Sequence, residues 1–230
     1  MFKSNLFAKY LSYKIAFLLI FIISVFISLL FWFFSLRYYD NLTKELFEHR
    51  VNENIDNMQQ RISNYKYALI SGVALVNAND KITNQIWHDF INSLDLENNY
   101  PGFQGIGYSP VLKTTDIPSF VKEIQINNPN YNLLSSKERE IYVPVKYIEP
   151  INNRNIKAIG YDLYSEATRR AVLDSARDSG MPSLSDKVIL RQEIDSDVQA
   201  GILMYLPVYK KNSINSIEDR KDSIVGFVSG

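Results

Sequence analysis

The run from Ile15 to Leu36, IAFLLIFIISVFISLLFWFFSL, passes through twenty-two residues without a charge. At a helical rise of ~1.5 Å per residue it extends about 33 Å, enough to cross the hydrocarbon of a bilayer. It exceeds the ~7 to 15 apolar residues of a signal-peptide core, and it ends in bulky Phe31, Trp32, Phe33 and Phe34 with no small-residue cleavage site, so it reads as a retained span. Lys3, Lys9 and Lys14 on one side face Arg37, Lys44 and Arg50 on the other, a tie that only the N-terminal amine tips. Residues 1–14 are therefore expected to be a cytoplasmic tail, 15–36 the transmembrane helix, and the remainder to lie outside the cytoplasm of a cell bounded by an inner membrane.

Composition excludes several functions for that remainder. Lys+Arg and Asp+Glu both number 25, so no net positive field exists to attract nucleic acid. Cysteine is absent, which excludes a disulfide framework, a thiol nucleophile and a cysteine-held metal. The only two histidines, His49 and His88, lie on predicted helices away from the strand-end serines, so no catalytic triad is read. His88 beside Asp89 is also a poor metal site, since neighbouring helical residues point to different faces. The chain is expected to be neither an enzyme nor the carrier of a cofactor.

Beyond the span, Val51, Ile55, Met58, Ile62, Tyr65, Leu69, Gly72 and Val76 recur at alternating steps of four and three, a heptad seam on a stalk helix over 37–80. Such a seam either packs on its own domain or pairs with a second copy in a parallel homodimer. Thr83 opens a second amphipathic helix. From Pro101 onward the texture is that of strands, at 103–108, 141–148, 156–163, 187–193, 201–209 and 224–228. One helix, capped by Ser165 and stopped by Gly180, interrupts them, and 212–223 reads as a polar hairpin connection. The fold class is α+β, in the order transmembrane helix, stalk helix and mixed α/β lobe. Because a strand is just beginning to form at Gly230, the domain over 81–230 reads as incomplete at its C-terminus.

Gly105 and Gly107 share one face of a predicted strand, where glycine allows close approach of either a ligand or another backbone. Glu140 stands at a strand entrance near Tyr142, Pro144 and Tyr161, where an acceptor set in aromatic surface would orient a small amine- or amide-bearing ligand. The alternative for Glu140 is a surface carboxylate paired with Arg139 or Lys137. Asp162 is expected to cap the following helix.

The segments Tyr100 to Tyr108, Glu138 to Val145, Tyr147 to Pro150, Ile159 to Leu163, Ala176 to Gly180 and Gly201 to Tyr209 occur in an order that resembles the CHASE domain, the extracellular sensory module of membrane histidine kinases and nucleotide cyclases. The resemblance runs from about Arg61 to Gly230. It implies a long helix followed by PAS-like α+β lobes, a small-molecule ligand, and a receptor of histidine kinase or diguanylate cyclase type. In the plant cytokinin receptors of that family an Asp two residues before a Tyr-x-Pro-Val run binds the adenine-type ligand, and the matching position here is Glu140. One extra methylene would misplace a hydrogen-bond pair built for Asp. By the same matching Ser185 and Gly201 join the expected ligand set, which is Phe103, Gly105, Gly107, Glu140, Tyr142, Tyr161, Ser185 and Gly201. A membrane-anchored adhesion module binding another protein through its aromatic strands is the other class of function these residues allow.

Overall fold

The computed structural model describes residues 3–135, 137–186, 188–189, 200–210 and 214–230. The chain divides into two compact units, 1–59 and 60–230. Helix α1 runs without a break over Lys3–Ala78, so span and stalk are one helix and no loop marks a boundary at residue 36. Its segment from Tyr13 is long and apolar enough to cross a membrane.

In chain order the second unit continues with α2 (Asn84–Leu94), α3 (Leu96–Asn99), β1 (Ile106–Pro110), β2 (Leu112–Lys113), α4 (Ile117–Gln125), β3 (Ile141–Tyr142) and β4 (Tyr147–Glu149). Then follow α5 (Ala167–Ser179), β5 (Ser183–Leu184), β6 (Val188–Ile189), β7 (Ala200–Gly201), β8 (Met204–Tyr209), α6 (Ile217–Ser223) and β9 (Ile224–Ser229). Five strands form an antiparallel sheet of order β4-β1-β9-β8-β5, and β2-β3 and β6-β7 are separate two-stranded pairs. The last strand, β9, is flanked by β1 and β8, so its neighbours are supplied from within the chain.

The strand period of two sorts the sheet into two cores. Met204, Leu206 and Val208 of β8 join Val228 of β9 and Ile106 of β1 in a cluster with Leu69 and Trp87. Tyr205 and Phe227, on the alternate positions, join Leu163, Leu173 and Ala176 in the second. Pro207 is tolerated in β8 because β5 pairs only with Met204 and Tyr205, leaving one side of the strand an edge beyond them.

The heptad seam meets two different environments. Tyr65, Leu69, Gly72 and Val76 pack on their own domain: Leu69 is fully buried, and a Cβ on Gly72 would lie 3.1 Å from a Val228 methyl. Val51, Ile55, Met58 and Ile62 stay exposed, Met58 at 65%. The second half of the seam is thus packed inside the domain, while the first half is exposed among the described residues.

Four expectations are corrected. The apolar stretch 156–163 is not a strand: it forms 3-10 turns at Asn155–Ala158 and Leu163–Ser165, with Gly160 left-handed between them. The first turn is set by Asn152, whose Oδ1 accepts from the backbone N–H of Arg154 and of Asn155. The stretch 141–148 is two strands in two sheets, because β3 pairs with β2 and β4 with β1. Ser165 does not cap α5. Glu166 occupies the N-cap, while Asp162 caps the preceding 3-10 turn by accepting from Tyr164 N–H. The polar connection 212–223 contains α6, opened by a capping box in which the Ser216 side chain accepts from Asp219 N–H and Asp219 accepts from Ser216 N–H. Gly180 ends α5 as expected, at φ +72°. Of the expected strand 187–193, only Val188–Ile189 lies within the described residues.

Candidate functional site

The run into β3 sends neighbouring side chains in opposite directions. Glu140 is exposed and its carboxylate makes no ion pair or hydrogen bond among the described residues; its backbone carbonyl accepts from Thr114 N–H at 3.1 Å. The expected alternative, pairing with Arg139 or Lys137, is therefore not what the geometry provides. Arg139 turns inward instead. Its Nε stands 3.3 Å from Asp162 Oδ2, its Nη1 donates to the Tyr164 carbonyl at 2.6 Å, and its backbone N–H donates to the Tyr142 hydroxyl at 3.0 Å.

Asp162 is the centre of this cluster and is fully buried. Oδ1 accepts from Val143 N–H at 3.0 Å and Tyr164 N–H at 3.1 Å, and Oδ2 accepts from the Ser135 hydroxyl at 3.0 Å. A buried carboxylate persists only when so paired and hydrogen-bonded. Burial, reinforced by donation to Asp174 at 2.7 Å, pushes the Tyr164 hydroxyl well above the usual tyrosine range. Behind it, the buried Arg169 guanidinium lies 5.3 Å from the Tyr161 ring centroid and 2.7 Å from Glu166. Tyr205 is buried alongside α5, and desolvation raises its hydroxyl to about 12.

The expected ligand residues are not all gathered at one place. Glu140, Tyr142 and Tyr161 lie about the Arg139–Asp162 cluster. Ser185 is buried, with its hydroxyl accepting from Leu203 N–H at 2.9 Å, and Gly201 pairs with Val188 across β6-β7. Phe103 belongs to the other core, stacked on Tyr65 with centroids 4.8 Å apart. Gly105 is required by close backbone approach: a Cβ there would lie 2.7 Å from Asn155 Nδ2 and 2.8 Å from the Glu149 carbonyl. A Cβ on Gly107 would lie 3.2 Å from the Tyr147 carbonyl of the adjacent strand. Both glycines thus serve the packing of neighbouring chain.

Two groups of charged residues escaped the sequence reading. His88 Nδ1 lies 3.1 Å from Oε1 of the buried Glu149, whose Oε2 accepts from Ile151 N–H, so the histidine ties α2 to β4. Beside β4, a cleft of about 470 Å³ is lined by Ile82, Ile124, Ile148 and Ile156 together with Lys81, Glu123 and Lys146. None of the eight expected ligand residues lines it. The available signal was the Lys146-Tyr147 pair at the head of a strand, but its partners come from Lys81 and Glu123, far away in sequence. Among the described residues no group of three or more His, Asp or Glu side chains is placed to hold a metal ion.

A family model of the CHASE domain matches residues 80–230. The chain is also similar to hybrid signal transduction histidine kinase A of Dictyostelium discoideum, at 26% identity over 151 residues. That similarity covers 57% of this chain and 7% of the relative, so the chain spans only a small part of the length of the kinase it matches. The CHASE domain is a non-catalytic sensory module, which agrees with the absence of a triad in the sequence. With a match over more than half its length, and ahead of it one helix among the described residues long and apolar enough to cross a membrane, the chain belongs to the CHASE-domain family, a membrane-associated sensory domain positioned outside the cytoplasm.

Proposed function

We propose that this chain is the small-molecule-sensing region of a receptor of histidine kinase or diguanylate cyclase type, that its sensory unit is a PAS-like lobe, and that it works as a homodimer joined through α1. The observation that carries the reading is the run of α1 into the sensory unit, where Gly72 lies against Val228 of the central strand β9. A ligand that shifts the sheet then acts directly on the helix leading to the membrane. Numbering the strands of the large sheet in chain order gives 2-1-5-4-3, which supports the PAS-like assignment.

The ligand is a small, mostly flat, nitrogen-bearing molecule oriented by Glu140, with Tyr142 and Tyr161 as apolar walls. What supports this is a carboxylate exposed and without a partner among the described residues, two residues ahead of the buried Tyr142. A charge-assisted hydrogen bond there contributes ~1.5 to 3 kcal/mol, so Glu140→Gln weakens binding by roughly ten- to a hundredfold with the fold intact. Glu140→Asp, which withdraws the carboxylate by one methylene, also loses affinity. The test is calorimetry and thermal-shift screening of the full chain in nanodiscs against purines, amino acids and short peptides. A ligand bound equally well by the parent and both variants removes Glu140 from the site.

Dimerisation rests on the exposed half of the seam. Each apolar side chain buried between two copies contributes on the order of 1.5 to 3 kcal/mol, and confinement to a membrane reduces the association cost to be overcome. Met58→Cys is expected to form a disulfide-linked dimer in membranes, and adding Ile62→Asp to abolish it. Cross-linking that persists unchanged with Asp at 62 would refute the seam.

A further inference from the structure

We propose that the cleft beside β4 is a second ligand site, separate from the Glu140 side, and that it takes a small carboxylate with a branched aliphatic body. The volume of about 470 Å³ is of ligand size. Its walls at Ile82, Ile124, Ile148 and Ile156 offer apolar surface and no polar side-chain group, so they select an aliphatic body.

Its charge is specific. Glu123 Oε1 lies 3.2 Å from Lys81 Nζ and 3.7 Å from Lys146 Nζ, so one carboxylate is shared by two ammonium groups and the trio keeps one net positive charge. Lys146 is the buried member, its side chain 12% exposed, with Nζ 5.6 Å from the Phe120 ring centroid and 5.1 Å from that of Tyr147. Desolvation lowers its pKa, with the Glu123 carboxylate pulling the other way. An ammonium in that position gains more from a second anion than one in water does, because the surroundings screen the attraction less. Tyr147 is not available to the ligand as a donor, since its hydroxyl donates to the Ile82 carbonyl at 3.1 Å. Asn84 and Asn127 border the same cleft and supply amide donors for the second carboxylate oxygen.

The test compares three isosteres on the full chain in nanodiscs by calorimetry: 3-methylbutanoate, 3-methylbutan-1-ol and 3-methylbutan-1-amine. The carboxylate is expected to bind at least tenfold more tightly than the alcohol, and the amine not at all. Lys146→Met, which keeps the aliphatic stem, weakens the carboxylate at least tenfold, while Lys146→Arg retains it. Glu123→Gln removes the competing carboxylate and tightens binding several-fold, a direction that a purely structural role for the trio would not produce. Glu140→Gln leaves this binding unchanged, so failure of the Glu140 site and failure of this one are separable. Equal affinity for the carboxylate and the alcohol, no binding of either, or weaker binding in Glu123→Gln overturns the proposal.

Discussion

Asp162→Ala is expected to lower the stability of the sensory domain by about 3 to 5 kcal/mol, the cost of leaving one member of a buried ion pair without its partner. The substitution strands the Arg139 guanidinium without its counter-charge and unpairs Val143 N–H and Tyr164 N–H at once, while the Ser135 hydroxyl keeps the Lys137 carbonyl as acceptor. At ~2 to 4 °C per kcal/mol for a domain of this size, the unfolding midpoint falls by roughly 6 to 20 °C. Asp162→Asn is the informative companion. Its remaining carbonyl oxygen still accepts from the two backbone N–H groups, but an amide in place of Oδ2 turns a donor toward Arg139, so its loss lies closer to that of alanine than to the parent. Adding Arg139→Met to Asp162→Ala removes the stranded charge, and the double variant is expected to be more stable than the sum of the single losses indicates. Thermal unfolding of the full chain in detergent, followed by circular dichroism, measures the parent, the single variants Asp162→Ala, Asp162→Asn and Arg139→Met, and the double variant. A loss below about 1 kcal/mol for Asp162→Ala, or strictly additive effects, would show that the pair does not hold the cluster together.

How much of this was legible in the sequence depends on how far the determining interaction reaches. The span, the Thr83 cap of α2, the Gly180 stop of α5 and the strand character of β8 are set by residues within a turn or two of each other, and all can be read directly. The stretch 156–163 could not be: its β-branched and aromatic content is strand-like, yet Asn152 and left-handed Gly160 fold it into turns. The heptad seam was visible as a period, but a period does not record where along the helix it enters the Trp87 core. At the candidate site, Glu138-Arg139-Glu140 offers three adjacent charges and no local sign of which one turns inward. That choice is made by Asp162, twenty-three residues beyond Arg139, whose capping of the next turn was readable while its bonds to Val143 and Ser135 were not.

Trp87→Ala is expected to cost about 3 to 5 kcal/mol and to act on α1 as well as on α2. Trp87 is fully buried and stands where three elements meet. Its indole N–H donates to the Ile106 carbonyl of β1 at 3.3 Å, its ring packs at 6.0 Å from both Phe90 and Tyr108, and its Cη2 would lie 3.5 Å from a Cβ on Gly72. Removing the indole leaves a void that the surrounding helices and sheet can close only in part, which is why the loss exceeds the transfer energy of the side chain alone. Trp87→Phe keeps most of the packing and deletes the hydrogen bond, so its loss should be smaller, on the order of 1 to 2 kcal/mol. The more telling measurement is amide exchange along α1. If Trp87 clamps the helix to the sheet, Trp87→Ala lowers protection at 65–76 while leaving 51–62, which lies outside that core, unchanged. A Gly72→Val substitution tests the same contact from the opposite side, because its added atoms meet Val228 at a distance tighter than ordinary packing and push α1 away from β9. Should both variants leave the protection of 65–76 intact, α1 is not held at this contact, and the coupling between sheet and membrane helix must run through another part of the domain.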